Sequence, residues 1–144
     1  MINEKTGSLP FGAYEMSPAE LAPHMVELQN TRVELNELLS ALRIERDEID
    51  KDVTAREQAA TARAMATLPA ARGKDTPSTA AVEKFVKADG AVVAAKGLRD
   101  NIARQLADAS DQLGAVRSAL RVCTVLVEIA HRKADDAKPD GKDW

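Results

Sequence analysis

Apolar side chains recur every seven residues in the first half of the chain. One line of positions consists of Leu21, Leu28, Leu35, Leu42 and Ile49. A second line begins four residues later and consists of Met25, Arg32, Leu39, Arg46, Val53 and Ala60. Because both lines fall on one side of an α-helix, the pattern predicts a long helix that packs against another helix as a coiled coil.

The second half of the chain carries the same pattern. Its two lines are Phe85, Val92, Arg99, Leu106, Leu113, Leu120 and Val127, and Ala88, Ala95, Ile102, Ala109, Val116, Cys123 and Ala130. The predicted fold class is therefore all-α. We expect a long antiparallel helical hairpin, a coiled coil that assembles further into an oligomeric bundle.

Capping residues and prolines place the ends of the two helices. Ser17 before Pro18 is typical of a helix start, and Pro69 cannot continue a helix without losing a hydrogen bond. Thr76 before Pro77 repeats the start signal. The predicted segments are an extended N-terminal arm at 1–16, a hairpin at 17–134 with helices at about 18–68 and 78–134 and a turn at 69–77, and a polar flexible tail at 135–144.

A register for the antiparallel pair follows if Leu68 faces Ser78. It places three arginines of the first helix beside acids or glycines of the second: Arg46 near Asp100, Arg56 near Asp89 and Gly90, and Arg63 near Glu83. Glycine weakens a helix interior. We therefore expect close approach of the two backbones at Gly90, Gly97 and Gly114.

Apolar residues exceed what two helices can bury at the end away from the turn. Residues 120–130, LRVCTVLVEIA, are apolar on nearly every side. The arm, a second copy of the chain or a different partner must cover this surface. We favour a homo-oligomer, and the predicted interface residues are Leu38, Leu42, Leu120, Val122, Val125, Leu126 and Ile129.

Composition fits thin helices better than a wide core. Apolar residues make up 44% of the 144, but 26 of them are alanine, and aromatic residues make up only 3%. The net charge of −3, with the signs interspersed, lowers the expectation of nucleic-acid binding without excluding it. The single cysteine and the lack of a signal-peptide or transmembrane pattern favour a cytoplasmic protein without membrane contact.

Few residues suggest catalysis or metal binding. Cys123 and His24 fall at one level of the proposed register, but a core thiol beside a helix-start histidine is the favoured interpretation over a nucleophile with its base. The acidic run at 45–52 is interrupted by Arg46 and Lys51, which favours a solvated, salt-bridged face over a cation site. We therefore expect no catalytic residue, metal or cofactor.

The connector contains Gly73 and Lys74 before a helix, but it lacks the first glycine and the strand of a phosphate-binding loop. We interpret it as an exposed turn. Arg72 and Lys74 remain candidates for contact with a phosphate or an acidic partner.

A charged heptad helix, the alanine-rich stretch at 53–60, a Gly-Lys-Asp-Thr turn and a second Ala/Val helix resemble small helical-hairpin proteins of bacteriophages. The resemblance covers about residues 18–134 and implies no functional residue. It implies a phage protein, in the virion or in the host cytoplasm.

The function expected from these patterns is that of a non-enzymatic interaction or assembly protein, such as a phage virion or assembly component. Two alternatives stay open. One is a nucleic-acid-associated accessory factor that helps recombination or packaging. The other is an inhibitor that binds a host protein through the hairpin or the arm.

Overall fold

The computed structural model describes residues 16–137, and they form three helices with no strand among them. The helices are α1 at Pro18–Thr67, α2 at Thr79–Ala88 and α3 at Gly90–Ala137. The predicted all-α class is confirmed. The arm at 1–15 and the tail from 138 onward lie outside the described residues, whereas 135–137, assigned to the tail, belong to α3.

The start of α1 follows from its capping residue. The Ser17 hydroxyl accepts a hydrogen bond from the Glu20 N–H at 3.3 Å and donates one to the Glu20 carboxylate at 3.1 Å. The first helical hydrogen bond, from the Leu21 N–H to the Ser17 carbonyl, is 2.9 Å long. Free N–H groups of the first turn are thereby satisfied, as helix starts require.

The connector between α1 and α2 is a hydrogen-bonded turn. The Ala71 N–H donates to the Thr76 carbonyl at 2.8 Å, and the Lys74 N–H donates to the Ala71 carbonyl at 2.9 Å. Gly73 has a φ of 77°, which glycine adopts without strain. The cap of α2 is Ser78 rather than Thr76, because the Ser78 hydroxyl accepts from the Ala81 N–H at 3.2 Å.

The second predicted helix is divided at Asp89. This residue has an extended backbone, with φ −63° and ψ 124°, and its N–H closes α2 on the Val86 carbonyl at 3.1 Å. Its carboxylate then accepts hydrogen bonds from the N–H groups of Ala91 and Val92 at 3.0 and 3.1 Å. Asp89 therefore ends α2 with its backbone N–H and caps α3 with its side chain. The heptad spacing continues through this break.

The described chain forms two compact units. Unit 1 combines the start of α1, up to Leu39, with the end of α3, from Asp108. Its buried apolar residues from α1 are Leu21, Leu28, Leu35 and Leu39, and those from α3 are Ala109, Leu113, Val116, Ala119, Leu120 and Cys123. All but Ala119 lie on the predicted heptad lines, so each helix buries the side that the spacing indicated.

Unit 2 spans Ser40–Ala107 and buries smaller side chains. Ala60, Val86 and Val92 form an apolar cluster, against which Val82 packs. The other buried apolar residues of this unit are Leu42, Val53, Ala64, Ala95 and Ile102.

Close backbone approach does not explain the helix glycines. A Cβ added at Gly90, Gly97 or Gly114 would meet no atom within 4 Å among the described residues. That expectation is wrong: these glycines are exposed, and the helix pair leaves room for alanine at each of them.

Candidate interaction surface

A second apolar stripe runs along the end of α3, within unit 1. Val122, Val125 and Ile129 form it at intervals of three and four residues, and Ser118 lies on the same line four residues before Val122. The stripe is displaced by two positions, about 200° around the helix, from the buried Leu120. It therefore faces away from the side that packs against α1.

The stripe borders a concavity of about 420 Å³. Its described lining consists of Ser118, Arg121, Val122, Val125, Leu126 and Ile129. Val125 and Ile129 are 47% and 41% exposed, and Val122 and Leu126 are half-buried. Four neighbouring aliphatic side chains on one side of a helix offer a surface that another apolar surface can cover favourably.

One flank of this stripe carries three basic residues and one acidic residue, all of them exposed: Arg117, Arg121, Glu128 and Arg132. Arg121 and Glu128 are both exposed and lie seven residues apart, hence on the same flank of α3. The ion pairs formed within residues 16–137 are Arg46–Asp47, Arg56–Asp52 and Arg63–Asp89, so Arg121 and Glu128 take part in none of them. Both charges are available to a partner.

The remaining predicted interface residues fall in different environments. Leu38 is 46% exposed on α1, whereas Leu42 and Leu120 are buried by the chain's own helices. Of the predicted interface residues on α3, Val122, Val125, Leu126 and Ile129 are therefore the accessible ones.

Two further exposed valines on α1, Val26 and Val33, were not singled out from the sequence. They lie seven residues apart and one position beyond the second heptad line, a spacing that could have identified them.

Arg72 and Lys74 both lie exposed in the connector. Neither takes part in an ion pair within the described part of the chain. Their contact with a phosphate or an acidic partner stays a prediction.

The buried environment of Cys123 works against a nucleophilic thiol. Cys123 is fully buried, and burial raises the pKa of its thiol. A raised pKa reduces the thiolate fraction, which is the reactive form. His24 is also buried, and its Nδ1 has no hydrogen-bond partner among the described residues. We assign a packing role to both side chains.

The acidic run at 45–52 forms ion pairs with neighbouring arginines. Arg46 lies 3.7 Å from Asp47, and Arg56 lies 3.0 Å from Asp52. Residues 16–137 contain no group of three or more His, Cys, Asp or Glu side chains placed to hold a metal ion.

A polar contact in unit 2 departs from the predicted register. Arg63 pairs with Asp89 rather than with Glu83, so the expected partner is wrong. Arg56 donates to the Ala91 carbonyl at 2.9 Å, one residue beyond the expected Gly90, while Arg46 pairs within its own helix instead of with Asp100. The reason is the break at Asp89. Its extended backbone takes this residue out of the helix, and its carboxylate thereby reaches Arg63.

The environment of Asp89 favours its charged form. Hydrogen bonding from the Val92 N–H, then from Arg63, lowers the pKa of this carboxyl below its ordinary value of 3.8. The Arg63–Asp89 ion pair therefore joins α1 to the junction of α2 and α3 at neutral pH.

None of the three helices has the length and apolar character needed to cross a membrane. No protein-family model matches the chain, and neither does any curated protein or solved structure.

Proposed function

We propose that this chain is a non-enzymatic helical interaction or assembly protein that self-associates through the end of α3. The observation that carries the proposal is the second apolar stripe of Val122, Val125 and Ile129, on the side of α3 away from buried Leu120, with half-buried Leu126 at its edge. A helix with apolar stripes on two sides needs a second helix or another apolar surface for complete burial.

The proposed architecture is a long antiparallel hairpin that assembles into an oligomeric bundle. Pairing of the start of α1 with the end of α3 in unit 1 supports it. Contacts from Arg56 to Ala91 and from Arg63 to Asp89 in unit 2 run in the same antiparallel sense. In a phage, such a protein would serve in the virion or its assembly; this setting is proposed from the sequence resemblance alone.

Light scattering of the full chain tests self-association. A concentration range of about 1 to 100 µM suits the affinity expected of a small interface. We expect the mass to rise with concentration for the wild type. Val125→Asp should hold the mass near that of one chain, because a charge in the stripe would be buried without a partner.

Val93→Asp is the matched control. Val93 is 55% exposed on α3 but lies in unit 2, away from the stripe. The control should associate like the wild type. A wild-type chain that stays monomeric across the range contradicts the proposed function.

A further inference from the structure

We propose that the break at Asp89 is a conformational switch that selects which side of α2 packs against α1. In one form α2 and α3 are separate helices, as in this structure, and in the other they fuse into a single helix. The inference is independent of the proposed self-association, because Asp89 lies in unit 2 and the α3 stripe lies in unit 1.

The buried side of α2 does not follow the heptad line of the sequence. Val86 is the buried residue of α2, and Val82, four positions before it, packs against the same cluster. Phe85, which lies on the heptad line, is half-buried, and Ala88 is exposed. The helix is therefore turned about its axis by roughly one residue, or about 100°, from the side that the heptad spacing indicates.

The break accounts for this rotation. Val86 and the buried Val92 of α3 are six residues apart, and in one uninterrupted helix the two side chains would point about 120° away from each other. Both nevertheless join the cluster with Ala60 of α1, because the extended Asp89 lies between them. A fused helix would instead place Phe85, seven residues before Val92, in line with it and turn Val86 outward.

The two forms satisfy the same backbone amides. At the break the Asp89 N–H donates to the Val86 carbonyl at 3.1 Å. The N–H groups of Ala91 and Val92 donate to the Asp89 carboxylate. In a fused helix each of these three amides would donate to the carbonyl four residues before it. Fusion therefore loses no hydrogen bond from these amides, and side-chain contacts decide between the two forms.

Asp89 supplies side-chain contacts that favour the break. Its carboxylate pairs with Arg63 of α1 in addition to capping α3. An alanine at this position makes neither contact, and alanine is the residue that most favours a helix interior. Removal of the carboxylate is therefore expected to favour the fused helix.

The connector allows α2 to turn at its other end. Residues 72–76 of the connector are all exposed, so a change in their backbone costs no buried area. In the fused form Val82 and Val86 would lie four residues apart on the outside of α2. A partner with an apolar surface that binds these two valines would shift the population toward the fused form.

Cα chemical shifts of the full-length chain test the switch, because they distinguish an extended residue from a helical one. Position 89 should change from extended to helical in Asp89→Ala. It should stay extended in Asp89→Asn, since asparagine caps a helix about as well as aspartate does. The control is Asp100→Ala, which removes an exposed carboxylate with no ion pair in the described chain and should leave position 89 extended.

Thiol labelling reports which side of α2 is buried. In the wild-type background Val86→Cys should react slowly with a maleimide and Phe85→Cys should react faster. This order should reverse when Asp89→Ala is added to each variant. Native Cys123 is fully buried, and the chain without an added cysteine gives its background rate.

Three outcomes would overturn this inference. If position 89 stays extended in Asp89→Ala and Val86→Cys stays protected, the break does not depend on the Asp89 side chain. If α2 loses its helical shifts in Asp89→Ala and both introduced cysteines react rapidly, α2 has no second way of packing. If Asp100→Ala fuses the helices as Asp89→Ala does, the change is not specific to the capping carboxylate.

Discussion

The two units of this chain hold their helices together by different means. Unit 1 buries large aliphatic side chains from both helices, such as Leu21, Leu28 and Val116. Unit 2 buries much alanine around a small Ala60, Val86 and Val92 cluster and adds polar contacts to Asp89 and Ala91. Buried area falls with side-chain size, so apolar burial contributes more in unit 1 and directional contacts contribute more in unit 2.

The residues expected to stabilise the fold also differ from those proposed to drive assembly. Unit 1 has more apolar residues than its own helix pair covers, and the surplus forms the α3 stripe. Ile44 and Leu98 of unit 2 are also exposed, but neither has an exposed large apolar residue three or four positions away on its own helix, and such residues are normal for a protein surface. Substitutions in each unit can therefore test how much that unit contributes to the free energy of unfolding.

The largest expected effect is that of Leu28→Ala in unit 1. Leu28 is fully buried, and its truncation should lower the free energy of unfolding by about 2–5 kcal/mol in a urea titration. Val92→Ala in unit 2 should cost less, since it removes fewer buried carbons. Leu38→Ala, at a 46% exposed position, is the control and should change little. Equal losses at Leu28 and Val92 would contradict the difference between the units.

The next effect concerns His24, the buried polar side chain of unit 1. Its Nδ1 has no partner among the described residues, and such a group costs about 1–3 kcal/mol. His24→Leu should therefore raise the free energy of unfolding by about 1 kcal/mol, measured by thermal melting, whereas His131→Leu at an exposed position should not. A loss of stability in His24→Leu would show that the imidazole makes a contact worth more than its desolvation.

Smaller gains are expected at the helix glycines. Gly97→Ala in unit 2 and Gly114→Ala in unit 1 should each stabilise the chain by about 0.5–1 kcal/mol, because space is free and alanine favours the helix. Gly73→Ala is the control: its positive φ strains an alanine, so chemical denaturation should show a loss there. A loss at Gly97 or Gly114 would indicate that something approaches these backbones closely.

The smallest effect is the pH dependence that Asp89 gives to unit 2. Because its folded pKa lies below its unfolded value, the stabilisation is complete above pH 3.8 and is lost as the pH falls through the folded pKa. Asp89→Asn should melt at a lower temperature than the wild type at pH 7, and the difference should shrink toward pH 3. Asp100→Asn, which removes an exposed carboxylate with no ion pair in the described chain, should match the wild type at both pH values.

Spacing of apolar residues predicted which sides of the helices are buried, and the caps and prolines placed the connector. The break at Asp89 was missed because the heptad spacing continues through it; an aspartate before a glycine was the available signal. Individual ion pairs could not be predicted, because a shift of the backbone at one residue moves a side chain several ångströms. The surplus of apolar residues near 120–130 was visible in the sequence, but the separation of buried Leu120 from exposed Val125 required the helix packing.

Hydrogen exchange at two protein concentrations tests the central claim most directly. The account predicts that raising the concentration slows amide exchange in peptides covering about 115–132 of α3 and leaves those from unit 2, such as 90–104, unchanged. Slowing confined to unit 2, or no change in either unit while the protein self-associates, would contradict assembly through the α3 stripe.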